Sequence, residues 1–188
     1  MLVLLDLKGL VLFLQDNGDD NIRGLVVGMG LIFISIVLNV KIINVPFVFS
    51  TRLTRITRPL QIRDLDLALK KVGELVHDWA GGTRIGESLK TFNFEWGRRV
   101  LGRGAVVLII SDGWDRGDVE LLKREMSRLK RNCHRLIWLN PLLGAPDYEP
   151  LTRGIQAALP HINDFLPVHN LASLEDLANR LSHLDRRG

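Results

Sequence analysis

The chain has 188 residues, enough for one domain with a real core. Hydrophobic residues make up 46% and charged ones 24%, which excludes a disordered chain. The 25 basic residues are interspersed with 21 acidic ones, so the net charge of +4 is mild for a nucleic-acid binder, and the one cysteine, Cys133, excludes an internal disulfide and a cysteine-cluster zinc site.

Residues 2–5 form a short apolar run ending on Asp6, and they read as a strand. Asp6 interrupts the run and no basic segment precedes it, so this is not a secretory signal. Residues 15–21, QDNGDDN, read as a solvated turn. Residues 24–40 carry no charge, at the lower edge of what a membrane helix needs. Their three glycines and richness in Val and Ile favour one or two buried strands, with membrane association the less favoured reading. Residues 41–50 read as a strand in which Pro46 marks a bulge or an edge.

Residues 51–59, TRLTRITRP, read as a short edge strand whose arginines face water. Residues 64–76 have apolar positions three and four apart and Asp64 to cap them, so a helix is expected. A glycine-rich loop follows, WAGGTRIG. Gly81 and Gly82 can swing Thr83 into a site, or Thr83 simply caps a helix over 86–100. No lysine stands in P-loop register, which removes the phosphate-loop reading.

The stretch that organises the rest is GAVVLIISDGWDRGD, residues 104–118. Residues 106–110 are apolar and mostly β-branched, as suits a strand buried on both faces. The run ends at Ser111-Asp112-Gly113, which puts a carboxylate at the carboxyl end of a buried strand, where open α/β sheets hold their ligands. A charged amphipathic helix is expected over 119–131, a strand over 135–140 and a short helix over 152–159. A strand over 165–168 and a last helix capped by Ser173 complete the chain. Alternating strands and helices predict an α/β fold with a mostly parallel central sheet and helices on both faces, three layers in all.

Asp6, Thr83 and Asp112 come from three separate loops and are oxygen donors suited to a hard divalent cation. From about residue 47 to 184 the chain resembles the von Willebrand factor type A (VWA) domain of bacterial CoxE-like proteins. The resemblance is carried by FVFSTRLTRITRPL, DWAGGTRIGESL, WGRRVLGRGAVVLIISDGWDRGD, CHRLIWLNPLLGAPDYEPLTRGIQAALP and DFLPVHNLASLEDL. It implies a Rossmann-like fold with a metal-ion-dependent adhesion site that takes Mg²⁺ or Mn²⁺. In that family the first strand ends in Asp-x-Ser-x-Ser, a second loop gives a threonine and a third an aspartate. Thr83 and Asp112 match the second and third elements, and Asp6 sits at the first. Lys8 and Leu10 stand where the two serines belong, so a partly degenerate site is implied. The division expected is a divergent segment, 1–46, followed by the VWA domain, 47–188.

The resemblance further implies a non-enzymatic interaction module in the cytoplasm. Its partners would be a MoxR-type AAA+ ATPase and a client metalloenzyme such as carbon monoxide dehydrogenase, matured with the module's help; no nucleic acid is expected. Trp114 and Arg116, beside Asp112, would form the partner-binding rim. Two rival readings stand beside it. A hydrolase would pair Asp112 with His134 or His169, without any nucleophile elbow or zinc signature to support it. A nucleic-acid binder would use Arg52, Arg55, Arg58 and the basic helix.

Overall fold

The computed structural model describes residues 2–5, 45–75, 82–145 and 147–185. The expectations for the 15–21 turn, the 24–40 strands, Asp6, Lys8, Leu10 and Gly81 lie outside the described residues. Six strands are described: β1 (Leu2–Leu5), β2 (Val45–Phe49), β3 (Leu53–Arg55), β4 (Val106–Ile110), β5 (Arg135–Asn140) and β6 (Asp164–Pro167). They make one sheet in the order β3-β2-β1-β4-β5-β6, all parallel except the β2–β3 pair. β1 lies between β2 and β4, with Leu4 paired to Phe47 on one side and Ile109 on the other. The strand order reverses there, and such a switch point opens a crevice at the carboxyl ends of the strands.

The described helices are α1 (Leu65–Leu75), α2 (Ile85–Thr91), α3 (Gly97–Val100), α4 (Val119–Asn132), α5 (Arg153–Ala158) and α6 (Leu171–Asp185). One face of the sheet packs Phe47, Phe49, Ile109 and Trp138 against Ile85 and Leu89 of α2, Leu122 and Met126 of α4, and Ile155 of α5. The other face buries Leu108, Ile110, Ile137 and Leu139 against Leu177 of α6, and Val48 with Ile56 against Val72 of α1. β4 and β5 therefore have apolar side chains on both faces, which is why their sequences do not alternate. The three-layer α/β architecture is as the sequence predicts.

Three local expectations need correction. β2 is an interior strand, so Pro46 marks no edge; its carbonyl accepts the Ile56 N–H at 3.1 Å, just past the last β3 pair, Phe47–Arg55. At the end of that short ladder the missing proline N–H removes no strand pairing. The 86–100 helix is broken by a π turn, Phe92–Trp96, between α2 and α3. The turn keeps Phe92 buried and sets the Trp96 ring edge-on to Phe47, 5.2 Å between centroids. α6 begins at Leu171, with Asn170 as its cap: Asn170 Oδ1 accepts the Ser173 N–H at 2.8 Å, while Ser173 Oγ accepts the Asn170 N–H at 3.2 Å. Ser173 thus closes a reciprocal capping box from the first turn. The start of α2 is capped from a distance by Asp115, as described below.

The parallel β5–β6 pair is pinned at its start by Arg135, which donates to both Asp164 oxygens at 2.6 and 2.8 Å. The guanidinium holds the Asp164 carboxyl below its ordinary range. A depressed carboxylate contributes stability above its unfolded pKa and loses it as pH falls through the folded value. Asp164→Asn should therefore cost about 1 kcal/mol at neutral pH, with the difference closing in acid; urea titrations at neutral pH and near pH 3 check both.

Candidate functional site at the carboxyl edge of the sheet

β4 delivers the site. Ser111 follows the strand and is 2% exposed; its backbone carbonyl accepts the Trp138 indole N–H at 2.8 Å. Its hydroxyl accepts the Gly113 N–H at 3.0 Å. Gly113 then turns the chain at φ +77°, a conformation a side chain resists. The turn leaves the Asp112 carboxylate at the carboxyl end of β4, half-buried, with Oδ1 accepting the Trp114 N–H at 2.9 Å. Burial raises the Asp112 pKa above the ordinary carboxylate range, and two backbone hydrogen bonds only partly offset it. Tyr148 lies close enough to feel that charge; burial, then Asp112, push its phenol up, and Asn140 Nδ2 donates to the phenol oxygen at 2.7 Å.

The Thr83 loop comes to the same edge. Gly82 has φ +82°, and Arg84 N–H donates to the carbonyl of Ser50, at the end of β2, at 2.8 Å. Thr83 is 4% exposed, and its carbonyl accepts the Arg116 N–H at 2.9 Å. That bond ties the threonine loop directly to the aspartate loop. Thr83 and Asp112, 29 positions apart, are thereby brought to one end of the sheet. Asp6 would follow β1, the strand between them, but lies outside the described residues.

The two rim residues differ in exposure and setting. Trp114 is 65% exposed, a large aromatic held in water beside a half-buried carboxylate. Arg116 is exposed, yet its side chain crosses Gly82, where an added Cβ would lie 2.6 Å from Arg116 Cδ. The histidines of the hydrolase reading are placed less helpfully. His134 precedes β5, with its N–H donating to Ala105 O at 2.8 Å, at the opposite end of the sheet from Asp112. His169 follows β6 and contacts Asn170 through Nε2 at 3.0 Å.

One residue of the site was not anticipated from sequence. Asp115 Oδ1 accepts the Ile85 N–H at 2.9 Å and the Gly117 N–H at 3.1 Å. It caps α2 from 30 positions away and completes the staple between the two loops. Its Oδ2, Glu87 Oε2 and Thr152 Oγ1 are buried without hydrogen-bond partners. Glu87 and Asp115 meet around Gly117, where an added Cβ would lie 2.5 Å from Glu87 Oε2 and 3.2 Å from Asp115 Oδ1. Only Glu87, the acidic residue in the first turn of α2, would have hinted at it, and no spacing rule singles that out.

Comparison with known families settles what this edge belongs to. The family model described as VWA domain containing CoxE-like protein matches residues 29–174. The chain belongs to the CoxE-like VWA family. The match covers Thr83 and Asp112 and begins after residues 6–10. Solved structures agree on the fold. Proximal thread matrix protein 1 from the mussel byssus superposes with a TM-score of 0.60 at 15% identity, over 98% of this chain and 47% of its own. This chain thus spans about half of that protein. BatB from Bacteroides thetaiotaomicron gives 0.56 at 16% identity, and an aerotolerance-related membrane protein from Bacteroides fragilis gives 0.52 at 16%, each over 98% of both chains. A second structure of the byssus protein, TM-score 0.50 and 15% identity, has a zinc-occupied metal-ion-dependent adhesion site. No curated protein matches the chain.

The described residues bring one carboxylate, Asp112, and one threonine, Thr83, to this edge, both oxygen-bearing side chains of the kind hard cations take. Among the described residues no group of three or more His, Cys, Asp or Glu side chains could hold a metal. Among the described residues, no helix is long and apolar enough to cross a membrane.

Proposed function

We propose that the chain is a non-enzymatic adhesion module that works with a MoxR-type AAA+ ATPase in maturing a metalloenzyme of the carbon monoxide dehydrogenase kind. Thr83 and Asp112, with Asp6, would hold Mg²⁺ or Mn²⁺. A bound cation would supply an open coordination position for an acidic side chain of the partner. Trp114 and Arg116 would frame that contact, an exposed aromatic and a guanidinium being the residue types most enriched at binding hot spots. The observation that carries the reading is a carboxylate held half-buried at the switch point, its pKa raised by burial, with no cationic side chain hydrogen-bonded to it among the described residues. Such a charge is costly in the resting protein and is relieved by a cation.

The test follows from the sign of the Asp112 shift. Its folded pKa is raised, so the stability it contributes is complete below the ordinary carboxylate range and lost as pH rises through the folded value. At neutral pH, in chelator, Asp112→Asn should melt about 2–4 °C higher than wild type, and the gap should vanish near pH 4. Millimolar Mg²⁺ or Mn²⁺ should raise the wild-type midpoint, because a ligand of the folded state alone must do so. The variant should not respond. Equal metal shifts in both proteins would remove Asp112 from the site, and no shift in wild type would remove the cation. Capture of the ATPase by the immobilised module should fall in Asp112→Ala.

A further inference from the structure

Charge is sorted between the two ends of the sheet. Residues 111–120, at the carboxyl edge, carry Asp112, Asp115, Asp118 and Glu120 against Arg116 alone. At the amino edge, residues 97–105 and 128–135 together carry seven basic side chains and no acidic one. These two segments are neighbours: Ala105 O accepts N–H groups from both His134, at 2.8 Å, and Arg135, at 3.4 Å. Arg135 is engaged by Asp164, and Lys130 by Asn163. Arg98, Arg99, Arg103 and Arg131 are exposed. A helix carboxyl terminus favours a cation or two in its last turn, which accounts for Lys130 and Arg131 but not for Arg103 in the turn before β4.

The π turn adds aromatic surface to this basic edge. Phe94 is 60% exposed, and the Arg128 guanidinium covers one of its faces at 4.2 Å from the centroid. The opposite face is therefore the one that meets solvent. Two residues on, Trp96 carries the Arg55 guanidinium at 5.3 Å. Two guanidinium–aromatic pairs thus run from edge strand β3 across the π turn to α4. Glu95 is the one exposed acid in that turn.

We propose that this amino edge binds single-stranded polynucleotide, with Phe94 stacking a base and Arg98, Arg99 and Arg103 contacting phosphates. Arginine forks match phosphate oxygens, and a half-open aromatic ring accepts any base. An anionic membrane fits less well. Phe94 is the one exposed aromatic of the π turn, already covered by a guanidinium that would have to follow it into the headgroup boundary, where membrane-surface helices present a whole apolar face. The sequence-wide charge hid this edge because acidic residues elsewhere in the chain balance it. The carboxyl edge stays free, so the adhesion contact and the polynucleotide can be held together.

The test is fluorescence anisotropy with a labelled oligothymidine of about 20 nucleotides in about 50 mM salt, the full chain being titrated. Binding should fall with salt at a log–log slope of about −2 to −3, as expected for three or four neutralised phosphates of a single strand. Phe94→Ala should weaken binding about tenfold and leave that slope unchanged. Arg98→Glu with Arg99→Glu and Arg103→Glu should abolish it. All these side chains are exposed, and thermal melts establish that each variant is folded; Arg103→Glu alone, expected to flatten the slope by about 0.7, serves if the triple variant does not fold. The proposal is overturned by no binding at the lower salt, by unchanged binding in Phe94→Ala, or by an equal loss in Asp112→Asn. Binding to phosphatidylglycerol vesicles without binding to the oligonucleotide overturns it in favour of a membrane.

Discussion

Gly154→Ala should lower the melting midpoint by about 5–10 °C, equivalent to about 2–3 kcal/mol in a chain of this size. Gly154 stands in the first turn of α5, where its would-be Cβ lies 2.3 Å from the carbonyl oxygen of Gly113 and 3.1 Å from Asp115 Cβ. The near atom is backbone, so no rotamer change relieves the clash. Gly113 faces the same contact from the other side: a Cβ there would lie 2.2 Å from Ile155 Cγ1 and 3.0 Å from Thr152 Oγ1. The two glycines let α5 seat directly on the site loop. A methyl group at 154 must either push α5 off the sheet, exposing Ile155, which is fully buried, or displace the loop that carries Asp112 and Asp115. Helix propensity works the other way, since alanine is favoured over glycine by up to about 1 kcal/mol in a helix, so the loss measured is net of that gain. Gly73→Ala supplies the contrast. Gly73 lies within α1 with nothing inside 4 Å of its added Cβ, and the same chemical change there should stabilise by about 0.5–1 kcal/mol. Opposite signs for one substitution at two helical glycines would isolate close approach to the loop as the cause; a neutral Gly154→Ala would show that the loop yields without cost.

The elements most legible in the sequence are those whose signal is local. β4 was readable because five apolar residues in a row need burial on both faces, and the structure gives Val107, Leu108 and Ile109 that burial on opposite sides. The turn after it was readable because Ser-Asp-Gly names a conformation, which Gly113 adopts at φ +77°. Features set by tertiary partners were not. The 92–96 segment, FNFEW, has the apolar spacing of an ordinary helix, and nothing in that period reveals a π turn that trades one backbone register for the Phe47–Trp96 contact. The first cap of α6 was misplaced because Asn170 and Ser173 are both good caps and their mutual bonds choose between them. Thr83 was singled out with its loop, and the Arg116 N–H bond to its carbonyl shows why that loop meets the aspartate loop. The part of the site contributed by the first loop stays with residues beyond those described.

Asp115 shows what local reading misses, and replacing it should produce the other large effect. Asp115→Ala should destabilise by about 2–4 kcal/mol, because it strips the acceptor from two N–H groups at once, those of Ile85 and Gly117. Loss of a helix cap alone costs about 1 kcal/mol, and a buried donor left without a partner adds about 1–3 kcal/mol. Ile85 is fully buried, so water cannot readily stand in. The effect should reach the metal response as well, since Asp115 holds the start of α2, two residues after Thr83, against the loop that holds Asp112. Asp115→Asn separates geometry from charge. Its carbonyl oxygen can keep both hydrogen bonds, and its amide N–H₂ replaces an oxygen that has no partner near Glu87, itself carrying an unpartnered buried oxygen. The asparagine variant should therefore stay within about 1 kcal/mol of wild type and retain any midpoint shift with Mg²⁺ or Mn²⁺, while the alanine variant loses both. If asparagine proved as damaging as alanine, the charge of Asp115 rather than its acceptor geometry would be what the edge requires, and Asp115 would have to be counted among the groups that face the cation. Urea unfolding of the three proteins, each with and without metal, distinguishes a staple from a ligand.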